Sequence, residues 1–372
     1  MSNKAQNSSK LRILMAAGAT GGHIMPALSI ARAMEESYPG TEVVFVGTGR
    51  PAEETILGPF GYRRFNLNMT GLKGKGLIGA PKAAWQAGLA LAKSANIVRS
   101  FKPHLGLVTG GYVSGPVGMA LKLSGTPLVL HEQNSLPGLT NRLLGTIADL
   151  ILVAFPQALE KFSKKRTKLV GNPVRPEITA IGSIDRNFEE KPFKLLILGG
   201  SQGSRALNAA GLNLAVYLMT QGLDLEVIHQ TGAAEFEDIK QKYIKLGIKA
   251  TVEPFFSDMA AIYKLSHLAV TRAGALTVFE LAAARVPSIL VPLPTAADDH
   301  QSVNAMALVN FGLAAMVKER DLGHLNEIAY SLIKEPEKLR AMHASSYKKS
   351  DVLRPYEPKQ IASLLRGYIR DI

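Results

Sequence analysis

Short apolar runs alternate along the chain with longer stretches whose apolar positions recur every three or four residues. That alternation predicts βαβ units built on parallel sheets covered on both faces, an α/β fold. In the first half, strands are predicted over 11–16, 42–46, 63–67, 105–108, 127–130 and 150–153, with a weaker one over 168–170, and helices over 26–36, 81–101, 115–123 and 139–147. The pattern then dissolves into a polar stretch that ends at Pro192. A second series follows, with strands over 194–198, 224–230, 251–253, 267–271, 288–291 and 314–317 and helices such as 205–219 and 301–311. This organisation predicts two doubly wound domains, over 1–172 and 193–350, joined by a linker over 173–192. Residues 351–372 are expected to carry a last amphipathic helix over 358–369 that packs back toward the first domain.

Length and composition agree with this plan. The 372 residues exceed one ordinary core, and 47% hydrophobic with 20% charged residues is a globular balance. No cysteine occurs, which excludes disulfides, thiolate nucleophiles and sulfur-based zinc sites. The 17-residue uncharged stretch from Leu105 to Leu121 holds five glycines and a proline, so it reads as strand, loop and helix, and no transmembrane helix is expected. Charge changes the picture more. Forty-three basic against 30 acidic side chains leave +13, an excess that calls for an anionic partner: nucleic acid, membrane phosphate or a phosphorylated substrate.

Each predicted domain opens with an apolar strand that runs into a glycine-rich loop. The first loop is Ala17-Gly18-Ala19-Thr20-Gly21-Gly22-His23. The second is Gly199-Gly200-Ser201-Gln202-Gly203-Ser204, and a third, Arg272-Ala273-Gly274-Ala275-Leu276-Thr277, follows a buried strand in the same domain. Glycines let backbone approach a ligand, and a following helix N-terminus favours an anion. None fits G-x-G-x-x-G or a Walker motif, which weakens a dinucleotide dehydrogenase. Thr277 and Glu280 share a helix face, so the carboxylate is placed for paired ribose hydroxyls or, alternatively, for a helix-start capping arrangement. Two loops at the carboxyl ends of parallel strands fit a nucleotide diphosphate, with the second partner held by the other domain.

Together with Gly110-Gly111-Tyr112-Val113-Ser114-Gly115-Pro116, His131-Glu132-Gln133-Asn134 and Gly171-Asn172-Pro173-Val174-Arg175, these loops resemble the MurG family of glycosyltransferase family 28 over nearly the whole chain. The resemblance implies a GT-B architecture and inverting transfer of N-acetylglucosamine. The donor would be UDP-N-acetylglucosamine and the acceptor the undecaprenyl-diphosphate-linked muramoyl-pentapeptide precursor of peptidoglycan, met at the cytoplasmic face of the membrane. By matching positions, Thr20, Gly21 and Gly22 line the cleft, and Asn134, Arg175 and Ser201 contact the donor sugar or its diphosphate. Phe256 offers a backbone contact to uracil; Gly274, Ala275, Leu276, Thr277, Val278 and Phe279 surround nucleotide and phosphate; Glu280 takes the ribose; and His300 or Gln301 reads the sugar. Other cell-wall synthesis or division proteins are further candidate partners. Ala19 stands where the family carries glycine.

None of the ten aspartates has another two residues away, so a metal-binding Asp-x-Asp pair is missing. Backbone amides, helix dipoles and Arg175 are therefore expected to stabilise the departing diphosphate, with no metal and no cofactor. The candidate bases for the acceptor hydroxyl are His23, Glu132 and His131, with His23 favoured because an imidazole titrates near neutrality and this one ends a glycine loop. Tyr112 and Ser114 are expected either to meet acceptor phosphates or to pin their own turn. Lys73, Lys75, Leu77, Ile78 and Lys82, with Trp85 beyond, form either a patch that dips into an anionic membrane surface or a solvated loop. A UDP-sugar 2-epimerase, a nucleic-acid binder and a non-catalytic interaction module are the competing readings. One tryptophan and 6% aromatics leave few groups for stacking on bases, so no nucleic-acid partner is expected.

Overall fold

The computed structural model describes residues 10–18, 20–67, 80–200, 202–296, 299–345 and 357–369. The described chain forms two compact units, one running to Pro173 and including the terminal helix Pro358–Arg366, the other starting at Val174.

The first unit holds β1 (Arg12–Ala16), β2 (Glu42–Gly47), β3 (Arg63–Asn66), β4 (Leu105–Val108), β5 (Leu128–Glu132), β6 (Leu150–Val153) and β7 (Thr167–Leu169). They form one parallel sheet in the order β3-β2-β1-β4-β5-β6-β7. Side chains alternate across a strand, and β1 feeds two cores in this way. Ile13 and Met15 pack with the helix Gly21–Ser37 and with Ile361, Ala362 and Leu365 of the terminal helix. Leu14 and Ala16 pack on the opposite face with Val98, Phe101, Val117 and Leu121 from the helices Ala80–Phe101 and Ser114–Leu123. A strand buried on both faces must be apolar at every position, which is why the hydrophobic runs here are continuous.

The second unit holds β8 (Phe193–Leu198), β9 (Leu225–Gln230), β10 (Ala250–Glu253), β11 (Leu268–Thr271), β12 (Ser288–Leu290) and β13 (Ala314–Met316), again all parallel, in the order β10-β9-β8-β11-β12-β13. Residues 174–192 differ from the expected linker. They include the helix Pro176–Ile181, whose Ile178 and Ile181 are buried, and Phe188 enters the core. This helix packs on Met259–Leu265 and Ala275–Ala284 and belongs to the second unit.

Two buried imidazoles make both units acid-sensitive. Burial lowers His131 to about 4 and His229 to about 3, from an ordinary value of 6.5. The unfolded chain takes up these protons first as pH falls, so stability is full above 6.5 and drains away toward the folded values. By pH 4 each group removes about 3 kcal/mol. Denaturant unfolding at pH 7 and pH 4.5 should show both transitions moving to lower denaturant in acid. A pH-independent midpoint would contradict the assignment.

Candidate active site

Each sheet reverses its direction of strand addition once, between β1 and β4 in the first unit and between β8 and β11 in the second. Loops leaving the two strands at such a switch point part to opposite faces and open a crevice at the strands' carboxyl ends. The glycine motifs occupy these four loops.

In the first unit, a Cβ on Gly18 would come within 2.8 Å of Val113 Cγ2, and one on Gly111, at φ +78°, within 3.1 Å of the Gly18 carbonyl. The loops after β1 and β4 meet this closely because they are glycine. The Thr20 carbonyl accepts the N–H groups of His23 at 3.1 Å and Ile24 at 3.2 Å, starting the helix. The preceding amides of Gly21 and Gly22 have no acceptor within it. Thr20 and Gly22 are exposed, Gly21 is buried, and Ala19 lies outside the described residues. His23 is half-buried; its Nδ1 lies 3.0 Å from Gln133 Oε1, and its carbonyl accepts from Thr109 Oγ1 at 2.9 Å.

The partners of two side chains in this unit bear on their expected roles. Glu132, a candidate base, is buried at the end of β5 with both oxygens engaged. Oε1 accepts from the Asn134 backbone N–H at 2.9 Å and from Asn134 Nδ2 at 3.3 Å, and Oε2 from Asn141 Nδ2 at 2.7 Å and the Gly138 N–H at 3.3 Å. Burial pushes its carboxyl above the ordinary range and these donors oppose that. It is a brace that holds the loop after β5, and with it Asn134. Ser114, a candidate for acceptor phosphates, is fully buried. Its hydroxyl donates to the Gly110 carbonyl at 2.6 Å and accepts from the Gly110 N–H at 3.0 Å, so it pins the glycine turn. Tyr112 on the same turn is half-buried.

In the second unit, Ser204 caps the helix Arg205–Thr220 by accepting the Leu207 N–H. A Cβ on Gly203, at φ +74°, would fall 2.2 Å from the Thr231 carbonyl, so the loop after β8 lies directly on the one after β9. Ser201 lies outside the described residues. Arg272 ties the switch-point loops together: its guanidinium donates to Ser204 Oγ, to Glu319 and to the carbonyls of Val291 and Pro292. After it, Gly274 opens the helix Ala275–Ala284, in which the Val278 N–H is bonded to the Gly274 carbonyl at 3.0 Å. The earlier amides, of Ala275, Leu276 and Thr277, start the helix without an acceptor inside it. Gly274, Leu276 and Thr277 are half-buried, whereas Val278 and Phe279 lie in the core.

Glu280 is buried on the same helix, with Oε1 3.4 Å from Arg175 Nη2 and Oε2 accepting from Tyr263 Oη at 3.1 Å. Burial pushes its carboxyl up, and the nearby Arg175 cation pulls it back. A carboxylate has about four lone-pair sites, so two remain for a ligand's hydroxyls. Arg175 Nε is buried without a protein partner, so this guanidinium keeps donors for an anion. The Phe256 N–H is taken by Gln230 Oε1 at 2.9 Å. Gln301 Oε1 accepts the Leu293 N–H at 3.0 Å, which braces the loop after β12, and His300 beside it is half-buried.

Sequence reasoning passed over several residues that hold the site. Gln230 joins the loop after β8 to Phe256, since its Nε2 reaches the Gly200 carbonyl at 3.2 Å. Asn304 reaches the Ala273 carbonyl at 3.3 Å, Tyr263 supports Glu280, and Gln133 supports His23. A polar residue at the carboxyl end of a strand, as Gln230 is in Leu225–Gln230, is the signal that could have found it.

Two Rossmann-like units, each with a glycine loop and a helix N-terminus at its switch point, define a fold of the GT-B type. The particular family follows from comparison with known proteins. The glycosyltransferase family 28 N-terminal domain matches residues 13–153 and the family 28 C-terminal domain residues 194–354. A protein of Myxococcus xanthus named UDP-N-acetylglucosamine--N-acetylmuramyl-(pentapeptide) pyrophosphoryl-undecaprenol N-acetylglucosamine transferase is 37% identical over 365 residues, 95% of this chain and 92% of that protein. The crystal structure of Acinetobacter baumannii MurG superposes with a TM-score of 0.74 at 29% identity, covering 96% of this chain and 99% of that one. The chain belongs to the MurG family of glycosyltransferase family 28. A UDP-N-acetylglucosamine 2-epimerase structure, at TM-score 0.65 and 17% identity over 96% of this chain and 97% of its own, shares the fold alone.

Proposed function

We propose that this chain transfers N-acetylglucosamine from UDP-N-acetylglucosamine to the 4-hydroxyl of the lipid-linked N-acetylmuramoyl-pentapeptide, converting lipid I to lipid II. The observation that carries the reading is the second unit's switch point. There, helix-start amides, the unpaired Nε of Arg175 and the carboxylate of Glu280 come from neighbouring elements. That set suits a sugar nucleotide: amides and guanidinium for the diphosphate, Glu280 for the ribose, the Phe256 carbonyl for uracil, and His300 with Gln301 for the sugar.

The reaction is a single displacement with inversion. The acceptor oxygen forms a bond to the anomeric carbon, the bond to the β-phosphate oxygen breaks, and its electron pair leaves on UDP. His23 Nε2 takes the hydroxyl proton. Fixed amides and a cation aimed at the developing charge supply the stabilisation that other sugar transferases draw from a metal, so turnover is metal-independent. Incubation with the labelled donor and a lipid-linked acceptor, after exhaustive chelation, tests both points. The expected result is a product one sugar longer, with UDP released only when acceptor is present. Acceptor-independent conversion to an epimer would favour the epimerase reading, and activity restored only by magnesium would contradict the metal-independent step.

The acceptor is met at an anionic membrane surface, with Tyr112 near its diphosphate. Trp85 is 70% exposed on the helix Ala80–Phe101, and Leu89, Leu123 and Leu143 are exposed on it and on the adjoining helices Ser114–Leu123 and Leu139–Gly145. Exposed apolar side chains such as Trp85 and Leu89, one turn apart on one helix, suit a protein lying on a bilayer. No described helix is long and apolar enough to cross one. Lys73, Lys75, Leu77 and Ile78 lie outside the described residues, as does the side chain of Lys82. Each lysine near the surface is worth about 1 kcal/mol, so replacing Lys73, Lys75 and Lys82 by alanine should weaken binding to anionic vesicles on the order of a hundredfold. Unaltered sedimentation with such vesicles would remove this patch from the account.

A further inference from the structure

Behind His23 runs a chain of side chains whose hydrogens can be placed by elimination. The Gly171 carbonyl lies 3.2 Å from His131 Nε2. A carbonyl only accepts, so this nitrogen carries the hydrogen. His131 is fully buried and resists protonation, which leaves its Nδ1 as an acceptor. Gln133 Nε2 lies 2.9 Å from that Nδ1 and 2.8 Å from the His131 carbonyl. Two acceptors can be met only by the amide's NH2 end, since a flipped amide would set oxygen against oxygen. Gln133 Oε1 must therefore be the atom that faces His23 Nδ1 at 3.0 Å, and that nitrogen must be the donor.

We infer that Gln133 is a positioning residue that holds His23 as its Nδ1–H tautomer, so that Nε2 presents its lone pair to the acceptor hydroxyl. The inference rests on His23 being the base. Neutral imidazole in water favours the opposite, Nε2–H form, which has no lone pair at the atom that must take the proton, so Gln133 inverts the intrinsic preference. Among the described residues, Nε2 has no protein partner. Three further contacts fix the ring. Thr109 Oγ1 donates to the His23 carbonyl at 2.9 Å, and Asn172 Nδ2 donates to the Gln133 carbonyl at 3.1 Å. A Cβ on Gly110, at φ +110°, would fall 3.0 Å from His23 Cε1, so the imidazole lies against bare backbone. When Nε2 gains the proton, the Nδ1–H donor becomes cationic and its bond to Oε1 strengthens, while Gln133 stays neutral. The amide selects the tautomer while staying neutral, and buried Glu132 acts on His23 electrostatically beside it.

Nitrogen-15 NMR of the wild-type chain with UDP bound, with the His23 signals assigned by their loss in His23→Gln, tests the tautomer directly and needs no variant at 133. A protonated Nδ1 and a bare Nε2 would support the inference even if the proposed transfer reaction were never observed. A protonated Nε2 would overturn it. The kinetic arm uses Gln133→Leu. Turnover should fall about tenfold to a hundredfold with KM for the sugar nucleotide unchanged, and the His23 signals should move to the Nε2–H pattern. Wild-type turnover in a folded Gln133→Leu chain would equally overturn it. A residue that merely supports the fold would change thermal stability and leave the tautomer pattern alone.

Discussion

His23→Ala lowers turnover by about two to four orders of magnitude and leaves the affinity for UDP-N-acetylglucosamine unchanged. The size follows from its role. A positioned base removes the proton in step with attack, and without it water must do so. The specificity follows from place: His23 belongs to the first unit, whereas the amides, Arg175 and Glu280 that hold the donor belong to the second. His131, the third candidate base, is buried and donates to the Gly171 carbonyl, and Glu132 is saturated by four N–H contacts. Neither can take over. Steady-state kinetics with calorimetric donor binding measures both halves of the prediction. Near-wild-type turnover in His23→Ala would return the base assignment to an unidentified group.

Arg175→Ala costs about a hundredfold to a thousandfold in turnover, the usual loss when one preorganised charge-stabilising donor is removed. Among the described residues its ion-pair partner is Glu280, at 3.4 Å, and its buried Nε has no hydrogen-bond partner. The change also strands Glu280 in the interior beside Tyr263, so the variant should be less stable. The double variant Arg175→Ala/Glu280→Gln separates the two effects. Removing the stranded carboxylate should recover melting temperature without recovering turnover, and recovery of both would make Arg175 a structural partner only.

Periodicity made the sheets legible to within a residue or two, because strands buried on both faces leave no polar position to blur the pattern. Strand β5 was expected over 127–130 and runs Leu128–Glu132; its polar end is buried because His131 meets the Gly171 carbonyl forty residues on and Glu132 is met by donors of the loop that follows it. The first helix was placed from residue 26 and begins at Gly21. Pro26 is tolerated because the bond it forfeits is to the carbonyl of exposed Gly22. The segment 174–192 misled because Ile178, Ile181 and Phe188 are spaced among polar residues, and only helices distant in sequence make them a core. In the site, the glycine loops and Glu280 were visible as motifs. The supports Gln230, Tyr263 and Asn304 were not, and Gln133 was visible in the motif His131–Asn134 without its role, since a polar residue's role depends on which group it meets after folding.

The account stands on the second unit carrying the charge of departing UDP with amides and Arg175. A crystal structure with UDP bound tests this most directly. The account predicts the pyrophosphate against residues 199–204 and the amides of 275–277, with the ribose on Glu280 and the Arg175 guanidinium turned to a phosphate oxygen. A pyrophosphate seated away from both loops, or held through an ion on carboxylates, would contradict it.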